Sequence, residues 1–351
     1  MHRRYAAVLT AVMLLMAASC GKKETALERG LSFVTLQEYD QALEILLEAE
    51  VSEGVSEELL RAKGLAYMGL GEYDQAVSAF TDALSLAGTS CGSLERDINF
   101  YLSTCYIKLS DNESAMERLD AVLSSEPSNV TAALERGKLK LSMKDVSGAM
   151  ADFDMAAGTD KKNAGVYLDI YDIFMLRKMV KEGASYLNSA KAADPADLND
   201  YDKARLCYYT GDLEGACNYL EYARSIDKAD TDMIKLLGRC YRELSKYENA
   251  TAIYLGFLEE KPDPGICNEL GISYSETGSY SQALEAFRRG IKIPENNTCM
   301  QELKANEIVC LENLHEYKEA AELAKAYLET YGTDEEMEKE YAFLVTRCGV
   351  Y

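Results

Sequence analysis

Small and bulky residues recur along this chain with a long, fixed spacing. Nine successive stretches share one spacing: a residue of the first helix, small in seven of them, is followed nine positions later by a residue that is most often Tyr, and Ala or Gly stands three positions beyond that. The second stretch shows the pattern best, in Gly64, Tyr67, Gly71, Tyr73, Ala76, Phe80 and Ala83. The marker of the first helix falls at Gly30, Gly64, Ser103, Gly137, Tyr171, Ala204, Gly238, Gly271 and Ile308. That of the second helix falls at Ala42, Ala76, Ala115, Ala149, Gly183, Ala216, Ala250, Ala283 and Ala320. A period of about 34 residues predicts a solenoid of stacked helical pairs. The small positions have a steric cause, because two helices approach closely only where side chains stop at Cβ.

Prolines support this division independently. Number each unit so that its first small residue is position 8. Pro127, Pro195 and Pro262 then all fall at position 32, and Pro264 and Pro294 lie close to such a junction. Proline breaks a helix interior, so it collects between units. The turn inside each unit also repeats: Gly71-Glu72-Tyr73-Asp74-Gln75-Ala76 matches Gly278-Ser279-Tyr280-Ser281-Gln282-Ala283. A Gly at the end of the first helix suits a left-handed C-cap.

This spacing resembles the tetratricopeptide repeat, two antiparallel helices with signature positions 4, 7, 8, 11, 20, 24, 27 and 32. The resemblance implies an all-α fold, a right-handed α-solenoid of about nine helix-turn-helix units spanning residues 24–333. Residues 334–351 read as a capping helix and tail, since an array must cover its last apolar face. The match is strong in repeats one, two, seven and eight. In repeats five and nine Tyr171 and Ile308 hold the small position, which predicts altered packing. Extra residues around Leu86–Leu94 predict a loop or a longer second helix.

The N-terminus carries a different signal. Arg3 and Arg4 precede an apolar run, Ala6 to Ala18, interrupted only by Thr10. As a helix it reaches roughly 20 Å, short of a hydrocarbon core of about 30 Å. It therefore reads as a processed signal in residues 1–19. Ala17-Ala18-Ser19-Cys20 resembles the lipobox of bacterial lipoproteins, with Ala17 where Leu is usual. That resemblance implies a lipid on Cys20, a tether of residues 20–23, and a bacterial membrane protein facing outside the cytoplasm. No other covalent group or cofactor is implied. Acylation by more than one chain gives stable anchoring.

Charge narrows the partners. Acidic side chains number 59 against 37 basic ones, a formal net charge of −22, and loss of Arg3 and Arg4 makes the mature chain more acidic still. Nucleic-acid binding is disfavoured, because it rests on a basic face. Ten cysteines become nine once Cys20 is lipidated, and an odd number cannot all pair internally. Cys105, Cys240 and Cys310 fall at position 10, and Cys207, Cys217 and Cys267 at positions 11, 21 and 4. They read as core residues with buried thiols. A disulfide between Cys299 and Cys348 would staple the cap. No CxxC occurs, so zinc is not expected. His315 is the one histidine of the mature chain, and no Ser/His/Asp or Cys/His set can be built without it. An enzyme is not expected.

In the tetratricopeptide family the first helix lines a concave groove through positions 2, 5, 9, 12 and 13. In repeats two and three this places Arg61, Leu65, Met68, Phe100, Thr104, Ile107 and Lys108 on that face. Repeats six and seven concentrate Tyr201, Arg205, Tyr208, Tyr209, Lys235, Arg239 and Arg242 there. Arg and aromatic side chains are common interface hot spots, and the cations could receive a carboxylate. The competing reading is internal ion pairing with Asp232 or Glu243. The clamp of chaperone-binding relatives needs Lys, Asn and Asn where Tyr201, Arg205 and Leu236 stand, so that specificity is not implied. The sequence thus points to a scaffold binding a protein or extended peptide. A glycan- or solute-binding lipoprotein is the alternative; it has 24 Tyr but no Trp for an aromatic platform.

Overall fold

The computed structural model describes residues 24–87, 92–159, 163–193, 197–226, 230–293, 299–332 and 334–348. The signal, Cys20 and its tether, Cys91, Pro195 and Pro294 lie outside them. Among the described residues there are nineteen helices and no strand, and the fold is an all-α solenoid. The chain divides into two compact units, 1–127 and 128–351.

The first unit holds α1 (Ala26–Thr35), α2 (Tyr39–Glu53), α3 (Glu57–Gly69), α4 (Tyr73–Ala87), α5 (Ser93–Lys108) and α6 (Asn112–Ser125). The second holds α7 (Val130–Ser142), α8 (Val146–Thr159), α9 (Ala164–Leu176), α10 (Val180–Lys191), α11 (Asp200–Thr210), α12 (Leu213–Ile226) and α13 (Thr231–Glu243). It continues with α14 (Tyr247–Glu260), α15 (Pro264–Glu276), α16 (Tyr280–Ile291), α17 (Met300–Asn313), α18 (Tyr317–Tyr331) and α19 (Glu335–Arg347). Each odd-numbered helix from α1 to α17 is the first of a pair, and short turns make its partner antiparallel. Pro264 takes the first position of α15 behind the cap Asp263, where a missing N–H costs nothing. Helix α4 ends at Ala87; the start of the insertion after it lies outside the described residues.

The small positions work by size complementation across each pair. A Cβ on Gly271 would stand 2.6 Å from two ring carbons of Phe287, and one on Gly64 2.5 Å from the Phe80 ring. Gly137 with Phe153, Gly238 with Tyr254 and Gly30 with Leu46 repeat the arrangement. Repeats five and nine satisfy the same constraint differently. Opposite Ile308 the bulky position is Ala324, and both are buried in one cluster. Opposite Tyr171, 8% exposed, the space comes from Gly183 on α10. The exceptions to the pattern therefore move volume between helices and keep the packing.

The turn between paired helices is more uniform than its sequence. Position 15 has positive φ in all nine units: Gly71, Gly211 and Gly278, but also Gln37, Ser110, Lys144, Lys178, Ser245 and His315. The backbone imposes this. In repeat three, Ser110 N–H donates to Ile107 O at 3.1 Å and Asp111 N–H to Tyr106 O at 2.9 Å, closing the helix end whatever the side chain.

At the C-terminus α19 lies on repeat nine. Its buried Met337 and Leu344 join Ile308, Leu311, Ala324 and Tyr327 in one cluster. Asp334 caps it, accepting from Glu336 and Met337 N–H at 3.1 Å. No disulfide joins Cys299 to Cys348. Cys299 precedes α17 and Cys348 follows α19, which runs parallel to α17. The two therefore sit at opposite ends of helices about 20 Å long, against the roughly 7 Å a disulfide can span between Cα atoms. Cys105, Cys217, Cys240, Cys267 and Cys310 are buried thiols and Cys207 is half-buried. Burial pushes Cys105 and Cys240 up to about 12 and Cys267 up to about 11.

Candidate partner-binding face

The residues singled out in repeats six and seven lie on α11 and α13, whose first-helix neighbours are α9 and α15. All belong to the second unit. Arg205 is 6% exposed and held by three carboxylates. It meets Asp169 at 2.8 Å and Asp172 at 2.6 Å on α9, and Asp202 on its own helix at 3.0 Å. Burial works against its charge, but Asp172 and Asp169 more than offset that and hold the guanidinium above its ordinary pKa. The Tyr201 ring lies 5.7 Å from the guanidinium carbon.

The tyrosines extend this network. Tyr209 donates to Asp172, and its ring meets Tyr171 edge-on with centroids 4.8 Å apart. Tyr208 packs against Tyr209 and donates to Glu243 of α13 at 2.5 Å. Burial raises the Tyr201 and Tyr208 phenols, so both stay protonated at neutral pH.

A second network links α13 to α15. Glu269, 5% exposed, is bound by Arg239 and by Arg242, the latter at 2.5 Å. Arg242 also reaches Glu276 at 3.0 Å. Beneath them lies Tyr254, with 0% exposure. The other repeats place Phe or Leu there, except Ala324 in repeat nine, and Gly238 makes room for the extra atom. Among the described residues, Lys235 alone of the four cations forms no ion pair; its Nζ lies over Gly265.

Internal pairing therefore occupies the three arginines, as the competing reading holds. Its partners are Asp169, Asp172, Asp202, Glu269 and Glu276, while Glu243 takes a tyrosine and Asp232 forms none of these pairs. The face is not simply basic: carboxylates neutralise it. What it offers a partner differs by residue. Arg239 is exposed, Tyr201, Tyr208, Tyr209, Lys235 and Arg242 are half-buried, and Arg205 is buried. In the first unit the corresponding Leu65, Met68, Phe100 and Ile107 are half-buried and apolar.

Asp202 aside, the acidic partners were missed in the sequence because they come from neighbouring repeats. The signal was available: Asp169 and Glu269 both hold position 6, next to a repeat with Arg at position 9. A separate cleft of about 900 Å³, lined by Ile234, Ile253, Gly256 and Phe257 with Arg224 and Lys261, shares none of the seven residues. Among the described residues no group of His, Cys, Asp or Glu has metal-binding geometry, and no helix is long and apolar enough to cross a membrane.

Family models of the tetratricopeptide repeat match residues 27–90, 61–123 and 264–297. No curated protein matches the chain. Among solved structures it is similar to a tetratricopeptide repeat protein from Parabacteroides merdae ATCC 43184. The identity is 19%, with 81% of this chain and 97% of that one covered and a TM-score of 0.44. It is also similar to MamA, at 17% identity, 46% and 92% coverage and a TM-score of 0.39. MamA from Desulfovibrio magneticus RS-1 gives 17% identity, 47% and 91% coverage and a TM-score of 0.41.

Proposed function

We propose that this protein is a lipid-anchored scaffold of the bacterial cell envelope that binds a protein or extended peptide along the first-helix face of its repeats. The observation that carries the binding reading is the row of half-buried tyrosines and exposed Arg239, held by ion pairs between α9 and α11 and between α13 and α15 and by the Tyr208–Glu243 hydrogen bond between α11 and α13. Ordered Tyr and Arg side chains bind at low entropic cost. Tetratricopeptide repeats typically serve protein interaction, and fold alone does not choose the partner. Arg205 acts as a positioning residue, while Tyr201, Tyr208, Lys235 and Arg239 meet the ligand. The anchor rests on Cys20 and the short tether, which spans about 10 Å when extended.

Two experiments separate the parts of this reading. Replacing Cys20 by Ala should release the protein from the membrane fraction; unchanged retention refutes the anchor. A pull-down from envelope extract should recover protein partners that are lost on Lys235→Glu with Arg239→Glu. Partners that persist remove the proposed face, and capture of polysaccharide alone favours glycan binding.

A further inference from the structure

The face by which α19 docks on repeat nine contains an acidic residue. Met337, Glu340, Tyr341 and Leu344 follow helical spacing, and Met337 and Leu344 are buried against Ile308, Leu311, Ala324 and Tyr327. Glu340 sits within this apolar stripe, on the side of the helix that is covered. Its Oε1 is shielded from solvent and receives no hydrogen bond. The group it meets is Glu312, near the end of α17, another carboxyl.

Two facing carboxylates repel, and a buried oxygen without a donor carries a desolvation cost. One added proton removes both problems, since a carboxylic acid donates O–H to the opposite carboxylate. No cation supplies an alternative in the ion pairs seen here. Lys304 of α17 lies over Tyr331, Lys325 of α18 pairs with Glu329, Lys339 of α19 with Glu335, and Arg347 lies over Phe343. Lys318 and His315 are exposed, and His315 meets the Tyr317 hydroxyl.

We propose that a proton shared by Glu340 and Glu312 locks the C-terminal cap, and that its loss with rising pH loosens α19 from repeat nine. No bond other than O–H changes; the proton goes to solvent. Burial first, then the neighbouring Glu312 carboxyl, raise Glu340 from its ordinary 4.5 to about 7. The docked form thus binds the proton more tightly than the undocked form. Docking is strongest below the ordinary value and weakens as pH rises toward 7. Release uncovers the apolar end of the array that α19 otherwise shields.

The test is amide hydrogen exchange of residues 335–347 in the full chain at pH 5 and pH 8, corrected for intrinsic rates and referenced to α15. The opening equilibrium of α19 should rise about tenfold over this range, a change already reduced for solvent screening. Glu340→Gln, which cannot ionise, should abolish the rise, and Glu312→Gln, which leaves the burial of Glu340 in place, should reduce it. Equal protection of α19 at both pH values in the wild type overturns the proposal. So does a rise that persists unchanged in Glu340→Gln.

Discussion

Replacing Gly271 by Ala introduces a methyl group where the structure has no room. The new Cβ would stand 2.6 Å from Cδ1 and Cζ of Phe287, whereas ordinary contact begins at 3.4 Å. Ring and backbone must therefore separate by nearly 1 Å, and Phe287 is only 1% exposed. Overpacking of this kind costs about 1–3 kcal/mol, and with no open space beside the ring the upper part applies. Alanine returns about 1 kcal/mol through helix propensity, leaving a net loss of about 2 kcal/mol. Phe287→Leu alone should cost about 1.5 kcal/mol by leaving a cavity. The double variant recreates the Ala204–Leu220 pairing already buried in repeat six. It should lose only about 1 kcal/mol, against about 3.5 if the changes were independent. Long repeat arrays need not unfold in one step, so the assay is hydrogen exchange of repeat-eight amides, which reports local opening free energies. Additivity within about 0.5 kcal/mol would refute size complementation as the cause of the small positions.

Further outcomes follow from the turns, ion pairs and thiols. Lys144→Gly relieves a left-handed lysine (φ 66°) and should raise stability by about 0.5–1 kcal/mol, while Gly278→Ala (φ 75°) should lower it by about 1 kcal/mol; thermal unfolding measures both. Arg205→Met removes a buried guanidinium that holds buried Asp202, half-buried Asp172 and exposed Asp169, and should cost about 3 kcal/mol. Arg239→Met should cost under about 1 kcal/mol, because its side chain is 49% exposed and Arg242 still holds Glu269; equal losses in urea unfolding would count against the burial difference. Cys105, Cys240 and Cys267 are raised by burial and remain almost wholly thiol at pH 8, so a disulfide reagent should reach the half-buried Cys299 and Cys348 first; early modification of Cys240 contradicts this.

The sequence is most informative where chemistry is local. Glycine opposite phenylalanine, proline between units and Ala in the second helix all act within one repeat, so period alone locates them. The apparent exceptions were harder. Ile308 departs from the pattern until it is seen opposite Ala324, sixteen residues later, because volume is conserved by the pair and not by the position. Left-handed Gln37 and Lys178 have no local signature; the turn's hydrogen bonds force them. The candidate face was legible as a set of residues but not in its charge state. Apart from Asp202, the carboxylates that hold Arg205 and Arg239 lie about thirty residues away on other helices, and sequence shows such neighbours only once the register between repeats is fixed.

The most direct measurement of the scaffold reading is photocrosslinking in envelope extract. One photoreactive amino acid is placed at Arg239, on the first-helix face, and in a second preparation at Tyr222, exposed on α12. The account predicts a discrete protein or peptide adduct from position 239 and none from 222. An adduct from 222 alone, or none from 239 while membrane-anchored protein still recovers its partner, would contradict it.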